Sequence, residues 1–171
     1  MLKIGTTFLA AAALLASASC AAHSQTSGQT TEQTVFELEG KVNNSVGIPV
    51  DVIAMLKSEE VVDGCFRTEG AGTNEEAWFE AAEIDLNGDD RSDLIVKPKH
   101  PCLYGANQGP FWIFQNAPDG YQKVLSASGL SLKVLPQKAS SFNDIEVSRV
   151  VAMKPQATRF AFSQGKYRPA K

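Results

Sequence analysis

Oxygen-bearing side chains recur at alternate positions in one short segment of this chain. Asp85, Asn87 and Asp89 alternate with other residues, and Asp93 follows further along. If the segment coils, these side chains and the main-chain carbonyl of Arg91 place their oxygens around one centre. Calcium is a hard cation that takes six to eight oxygen ligands. The segment 85–93, which we call the acidic loop, therefore predicts a calcium site whose protein ligands are Asp85, Asn87, Asp89, Arg91 and Asp93.

The same residues also fit a turn that holds no ion. Asp and Asn side chains accept hydrogen bonds from backbone N–H groups two residues further on, so Asp85 and Asn87 suit an ordinary polar turn. Gly88 allows the sharp curl in either case. If calcium does bind, we expect it to be structural, because one loop supplies the ligands and no position is left open for a substrate.

The cysteines that follow the N-terminal region form an even pair. Cys65 and Cys102 lie in what reads as an exported domain, and an even pair in that setting predicts a disulfide. A metal site built from these two residues and His100 is the weaker alternative. It lacks the short Cys and His spacings that are typical of zinc sites.

Catalytic motifs are sparse, whereas aromatic and acidic residues are available for a surface. The sequence contains no G-x-S-x-G element, and His100 is the one histidine outside the N-terminal region. Aromatic residues supply contact area with a polar handle, so a protein-binding or glycan-binding surface is one hypothesis. An enzyme or enzyme inhibitor that uses a surface near Glu80, Tyr104 and Trp112 is the alternative. Packing in the core is the plainer role for most of the aromatic residues.

Short alternating segments indicate that strands position the acidic loop. The pattern predicts one helix at 49–60 and strands at 34–42, 78–84, 94–97, 111–115, 121–126, 131–135, 145–151 and 158–162. Residues 66–76 are glycine-rich and predict a loop. These elements predict a mostly antiparallel β (α+β) fold, with one N-terminal helix packed on a short-stranded sheet.

The N-terminal region reads as a targeting segment. A lysine at position 3 precedes an apolar, alanine-rich run that is too short to span a bilayer comfortably, as in a secretory signal. Residues 1–19 are therefore predicted as a signal peptide. Residues 20–34 are predicted as a flexible tether because 23–34 lack large apolar side chains. The single domain then covers 35–171.

Charge limits the classes of partner. The chain carries 16 Lys and Arg residues against 19 Asp and Glu residues, for a net charge of −3. A mildly acidic chain with no basic stripe argues against nucleic-acid binding. It also gives no support for docking on anionic lipid. We therefore expect no nucleic-acid partner, and a membrane contact only through a lipid anchor at Cys20.

Residues 14–20 (LLASASC) resemble a bacterial lipoprotein signal. They depart from the usual pattern at Ser17, where that family has a leucine-like residue. The resemblance implies cleavage before Cys20 and lipid attachment to its thiol. Ordinary signal cleavage, which would release a soluble product, fits the sequence about equally well.

The acidic loop resembles the calcium loops of FG-GAP and VCBS-type repeats, which read D-x-[DN]-G-D-G-x-x-D-[LI]. The match covers Asp85, Asn87, Gly88, Asp89, Asp93 and Leu94, and it fails at Asp90, where the family has glycine. Asp tolerates the left-handed conformation better than most residues, so the turn can survive. The resemblance implies a small exported single-copy relative of these repeats, with a β-rich fold and a calcium site, and it assigns no reaction.

These observations together predict an exported cell-envelope module, periplasmic or on the outer surface. It is expected to bind or scaffold a protein or glycan and to carry one structural calcium ion. The alternative remains an envelope enzyme or enzyme inhibitor that uses the acidic and aromatic surface.

Overall fold

The computed structural model describes residues 32–69, 74–105 and 108–170. The predicted signal peptide, Cys20 and the tether up to residue 31 lie outside these residues. The strands are β1 (Val35–Glu37), β2 (Phe79–Ile84), β3 (Asp93–Pro98), β4 (Gly109–Ala117), β5 (Gly120–Gly129), β6 (Ser131–Val134), β7 (Ile145–Val151), β8 (Lys154–Ser163) and β9 (Lys166–Pro169). The α-helices are α1 (Val50–Lys57) and α2 (Glu60–Glu69), and short 3-10 turns cover Glu75–Trp78 and Pro101–Leu103.

All strand pairs are antiparallel, and they form two sheets. The first sheet has the order β2-β3-β4-β5, and the second has the order β1-β6-β7-β8-β9. The prediction of a mostly antiparallel β fold is therefore confirmed.

The first sheet is the middle layer of the molecule and is buried on both faces. Successive side chains of a strand point to opposite faces. Phe111 and Ile113 of β4 accordingly join a core shared with the second sheet, whereas Trp112 and Phe114 pack in the core shared with the helices. Burial on both faces explains why β4 reads as a continuous apolar run rather than an alternating one.

The helical layer contains two α-helices where the sequence predicted one. α1 ends at Lys57, and the Ser58 hydroxyl donates to the Met55 carbonyl at its end. α2 then covers residues 66–69, which were predicted as part of a loop. Its Val62 and Phe66 are spaced four residues apart and are buried against the first sheet, so packing sustains this helix.

The chain passes between the two sheets at Gly129, the last residue of β5. A Cβ atom at this position would lie 2.5 Å from Val147 Cγ1 and 2.6 Å from the Ser148 carbonyl oxygen. Its partner in the β4–β5 ladder is Gly109, where a Cβ would lie 2.5 Å from Leu38 Cδ1. A pair of glycines therefore allows the second sheet to approach this corner of the first.

The N-terminal strand is shorter than predicted. Residues 34–42 were expected to form one strand, but β1 ends at Glu37 and the chain turns at Gly40, whose N–H donates to the Glu37 carbonyl. The end of the predicted tether also contacts the domain, at Gln33. The Gln33 side chain accepts from the Asn43 N–H at 2.6 Å.

Within the part of the chain that the structure describes, no helix is long and apolar enough to cross a membrane.

Candidate functional site

The acidic loop connects β2 to β3 and is anchored by a buried leucine. Leu86 is buried, and its carbonyl accepts from the Asn143 N–H at 2.7 Å, which ties the loop to the β6–β7 connection. Because Leu86 points into the core, the flanking Asp85 and Asn87 are held at the rim of the first sheet.

The Asp85 carboxylate organises the first half of the loop. One oxygen accepts from the N–H groups of Asn87 at 3.2 Å and Gly88 at 2.7 Å, and the other accepts from Asp90 at 3.2 Å. Slight desolvation opposes ionisation of Asp85, but these backbone N–H groups outweigh it and lower its pKa. Gly88 (φ 80°) and Asp90 (φ 62°) are both left-handed, so Asp90 takes the conformation expected for it.

Asp89 is held by its neighbours in the loop. Its Oδ2 accepts from Asn87 Nδ2 at 2.9 Å and from Arg91 Nη2 at 2.6 Å, and its Oδ1 accepts from the Arg91 N–H at 3.0 Å. The hydrogen bond from the Asn87 side chain is the largest cause of a lowered Asp89 pKa, and Arg91 adds to the effect. The guanidinium of Arg91 therefore competes with any cation for Asp89.

Asp93 differs from the other carboxylates of the loop because it is buried, with only 1% of the residue exposed. Its two oxygens accept from the N–H groups of Asn116 at 2.9 Å and Leu86 at 3.2 Å. Burial raises the Asp93 pKa to about 6, and the nearby charges of Asp89 and Asp85 contribute in the same direction. No described cationic side chain forms an ion pair with it.

The five predicted calcium ligands lie in one loop, but the side-chain oxygens among them accept hydrogen bonds from backbone N–H groups and from the Asn87 and Arg91 side chains. Across residues 32–69, 74–105 and 108–170, no three His, Cys, Asp or Glu side chains converge as metal ligands. The hydrogen bonds of the ion-free turn are thus present. The donor set nevertheless fits a hard cation, since carboxylate, amide and carbonyl oxygens are the ligands that calcium takes. Binding would require Asp89 to exchange its contact with Arg91 for the ion.

The predicted disulfide is present. Cys65 in α2 is bonded to Cys102, with their Cα atoms 5.9 Å apart. The alternative metal site with His100 is therefore wrong, because both sulfur atoms are in the disulfide. The His100 ring stacks on Trp78 at 3.9 Å between centroids, and its Nδ1 accepts from the Cys102 N–H.

Of the residues proposed for an acidic and aromatic surface, Glu80 and Tyr104 line one small pocket together, whereas Trp112 is not part of it. Trp112 is fully buried between the first sheet and the helices, and its Nε1 has no hydrogen-bond partner among the described residues. Glu80 pairs with the buried Lys97 at 3.3 Å, and Lys97 Nζ also donates to the Leu38 carbonyl. Of the three residues named, Tyr104 alone lines a sizeable groove.

That groove encloses about 920 Å³. We call it the side groove. It lies between the start of α2, the segment after the disulfide and the end of β7, and its main lining residues are Val61, Tyr104, Pro110, Arg149, Val150 and Val151. The sequence pointed to the segment around Tyr104, but it gave no signal that Val61 and β7 would face it, because those residues are far apart in the chain.

Comparisons with protein-family models, with curated proteins and with solved structures find no match to this chain. The likeness to FG-GAP and VCBS-type loops therefore rests on the residues of the acidic loop alone.

Proposed function

We propose that this chain is an exported cell-envelope binding module, stabilised by a disulfide and by a calcium ion in the acidic loop. The observation that carries the binding role is the side groove, which is open, concave and partly apolar beside the disulfide. Pockets with a few polar groups on an apolar lining are the usual form of a binding site.

A protein partner is favoured over a glycan by the placement of the aromatic residues. Sugar rings stack on exposed aromatic faces, but Trp78, Trp112 and Tyr167 are buried. Tyr104 is the one aromatic residue among the described lining of the side groove. A partly apolar groove with one described aromatic residue suits a polypeptide better than a carbohydrate.

The calcium proposal is supported by the electrostatics of Asp93. A buried carboxylate next to two other carboxylates is unfavourable when ionised, and a bound divalent cation would offset that charge. Asp85, Asn87, Asp89, the Arg91 carbonyl and Asp93 would hold the ion. Its role would be to stabilise the connection between β2 and β3.

Calcium titration calorimetry, paired with thermal melts in calcium and in chelator, tests this proposal on the processed full chain. Calcium at about a hundredfold excess over its Kd should add roughly 2.7 kcal/mol to the free energy of unfolding. The calcium-dependent shift in Tm should disappear in Asp89→Ala and persist in Asp119→Ala, an exposed aspartate in the β4–β5 turn. Absence of both heat and a Tm shift in the unmodified chain would leave the loop as an ion-free turn.

Export and anchoring are tested by the intact mass of the full chain after expression in a bacterium. Loss of residues 1–19 with an added lipid mass, abolished by Cys20→Ala, is the expected result for a lipoprotein. Loss of the signal without added mass would indicate a free soluble product. An unprocessed N-terminus would contradict export.

A further inference from the structure

The β7–β8 hairpin extends beyond the strands that flank it. β6 pairs with β7 only as far as Ser148, and β9 pairs with β8 only from Phe160 onward. Residues 149–157, which we call the β-arm, therefore form a two-stranded ribbon that no other described strand flanks. Every residue of the ribbon is exposed.

The tip of the β-arm combines backbone strain with exposed apolar side chains. Ala152 (φ 49°) and Met153 (φ 62°) both lie in the left-handed region, which a two-residue hairpin turn requires but non-glycine residues disfavour. Met153 is 94% exposed, and Val150 and Val151 are also exposed. Backbone strain and exposed apolar side chains are both unfavourable in an isolated domain, and they are typical of segments that act in binding.

The base of the β-arm forms one wall of the side groove. Val150 and Val151 line the groove together with Val61 and Tyr104. Arg149 carries the one charge among the described residues that line the groove, and no described carboxylate pairs with it. The groove therefore offers apolar contacts together with one unpaired cation, which complements a ligand that carries a carboxylate.

The same wall has an open strand edge. The Ser148 carbonyl accepts from the Leu130 N–H, so the backbone groups of Ser148 face the β6 side. Backbone groups alternate along a strand, so those of Val150 face that side too. Val150 lies opposite Pro155, which has no N–H to donate, and this agrees with an outward direction. Because β6 has ended there, no described strand pairs with the N–H and carbonyl of Val150 on that side, where a new strand could add.

We propose that the side groove binds an extended peptide segment of a partner protein, which adds a strand beside Val150 and pairs a carboxylate with Arg149. This inference rests on the proposed binding function and specifies its site and its ligand class. Addition of a strand supplies main-chain hydrogen bonds, while Val61 and Tyr104 contact alternate side chains of the peptide. The carboxylate is a C-terminus or an acidic side chain.

Affinity selection from a synthetic pool of random short peptides, read by mass spectrometry, tests the proposal on the processed full chain. The pool contains peptides with free C-terminal carboxylates and peptides with C-terminal amides. Selected peptides should be rich in carboxylates and in alternating apolar residues. Binding of the best one, labelled for fluorescence anisotropy, should weaken by about tenfold or more in Arg149→Gln.

The controls separate this site from others. Arg168→Gln removes an exposed cation at the opposite end of the second sheet and should leave binding unchanged. A peptide N-methylated at alternate residues cannot donate to a strand edge and should lose binding without any change in the protein. Peptides that bind equally well to Arg149→Gln and after N-methylation would overturn this site while the binding function stands. A pool with no selected peptide would contradict both.

The same protein preparation tests two other occupants, which are a lipid surface and a second copy of the chain. Sedimentation with anionic phosphatidylglycerol vesicles that is abolished by Met153→Ser would mean that the β-arm docks on lipid and would overturn the proposal. A dimer in sedimentation velocity that dissociates in Arg149→Gln would mean that a second copy fills the groove, with the same consequence.

Discussion

At the scale of single residues, the sequence identified the acidic loop but did not predict that its carboxylates differ in burial. Asp85, Asp89 and Asp93 look equivalent in the pattern, yet the structure buries only Asp93. The reason is that Asp93 is the first residue of β3, a strand in which every residue is buried, and its carboxylate there accepts from the Asn116 N–H. A motif gives the types of the ligands, whereas burial, which sets their pKa values, depends on the neighbouring strand.

The raised pKa of Asp93 predicts an unusual pH dependence in chelator. The native state holds the Asp93 proton up to about pH 6, whereas the unfolded chain releases it near pH 4. The native state therefore binds more protons in that window, and this group lowers stability by up to about 3 kcal/mol as the pH rises through it. Above pH 6 its effect is constant.

Urea unfolding at a series of pH values checks this expectation. The difference in unfolding free energy between the unmodified chain and Asp93→Asn should change between pH 4 and pH 6, because Asn does not titrate. Asp119→Asn should track the unmodified chain. A difference that is flat across the window would show that Asp93 titrates normally. The lowered pKa values of Asp85 and Asp89 act in the opposite direction and only at more acidic pH.

At the scale of elements, alternation identified most strands and failed where packing decided the structure. The segment 145–151 is predicted with its observed bounds because apolar and polar residues alternate in it. α2 was missed because Gly64 interrupts it and no strong start signal separates it from α1. The side groove was missed for a different reason, since Val61, Tyr104 and Val150 meet only after the sheets and helices have packed.

Gly129, where the chain passes between the two sheets, should not tolerate a larger side chain. Gly129→Ala would place a methyl group 2.5 Å from Val147 Cγ1 and 2.6 Å from a backbone oxygen, which cannot move away easily. We expect a loss of roughly 1–3 kcal/mol in the free energy of unfolding, as for other overpacked sites. Gly64→Ala is the matched control, because a Cβ there meets no atom within 4 Å.

Thermal and urea unfolding of the two variants measure the effect. Gly64→Ala should be neutral or slightly stabilising, since Ala is the better helix former. Equal stability of Gly129→Ala and the unmodified chain would mean that the corner between the sheets relaxes without loss.

At the scale of the whole molecule, the disulfide joins the helical layer to the connection between β3 and β4. The bond closes a loop with a sequence separation of 37 residues, so the chain-entropy model gives a contribution of about 4 kcal/mol. Reduction should lower the Tm by roughly 10 °C for a domain of this size. The measurement is a melt of the oxidised chain and of Cys65→Ser/Cys102→Ser.

That experiment also bears on the side groove, which borders Cys102. If the double variant has the same Tm as the unmodified chain, packing of α2 alone holds the helical layer in place.

The pairing of β1 with β6 has a consequence for the order of folding. β2 to β5 form a meander of neighbours, whereas Val35 finds its partner at Lys133, most of the domain later. Contacts between distant segments form slowly, because the loop between them must close first. Because synthesis proceeds from the N-terminus, β1 is made early, and it cannot pair with β6 until β6 has also been made. β1 is short, and glutamates stand at positions 37 and 39. Both features disfavour pairing of the unpaired strand with other chains.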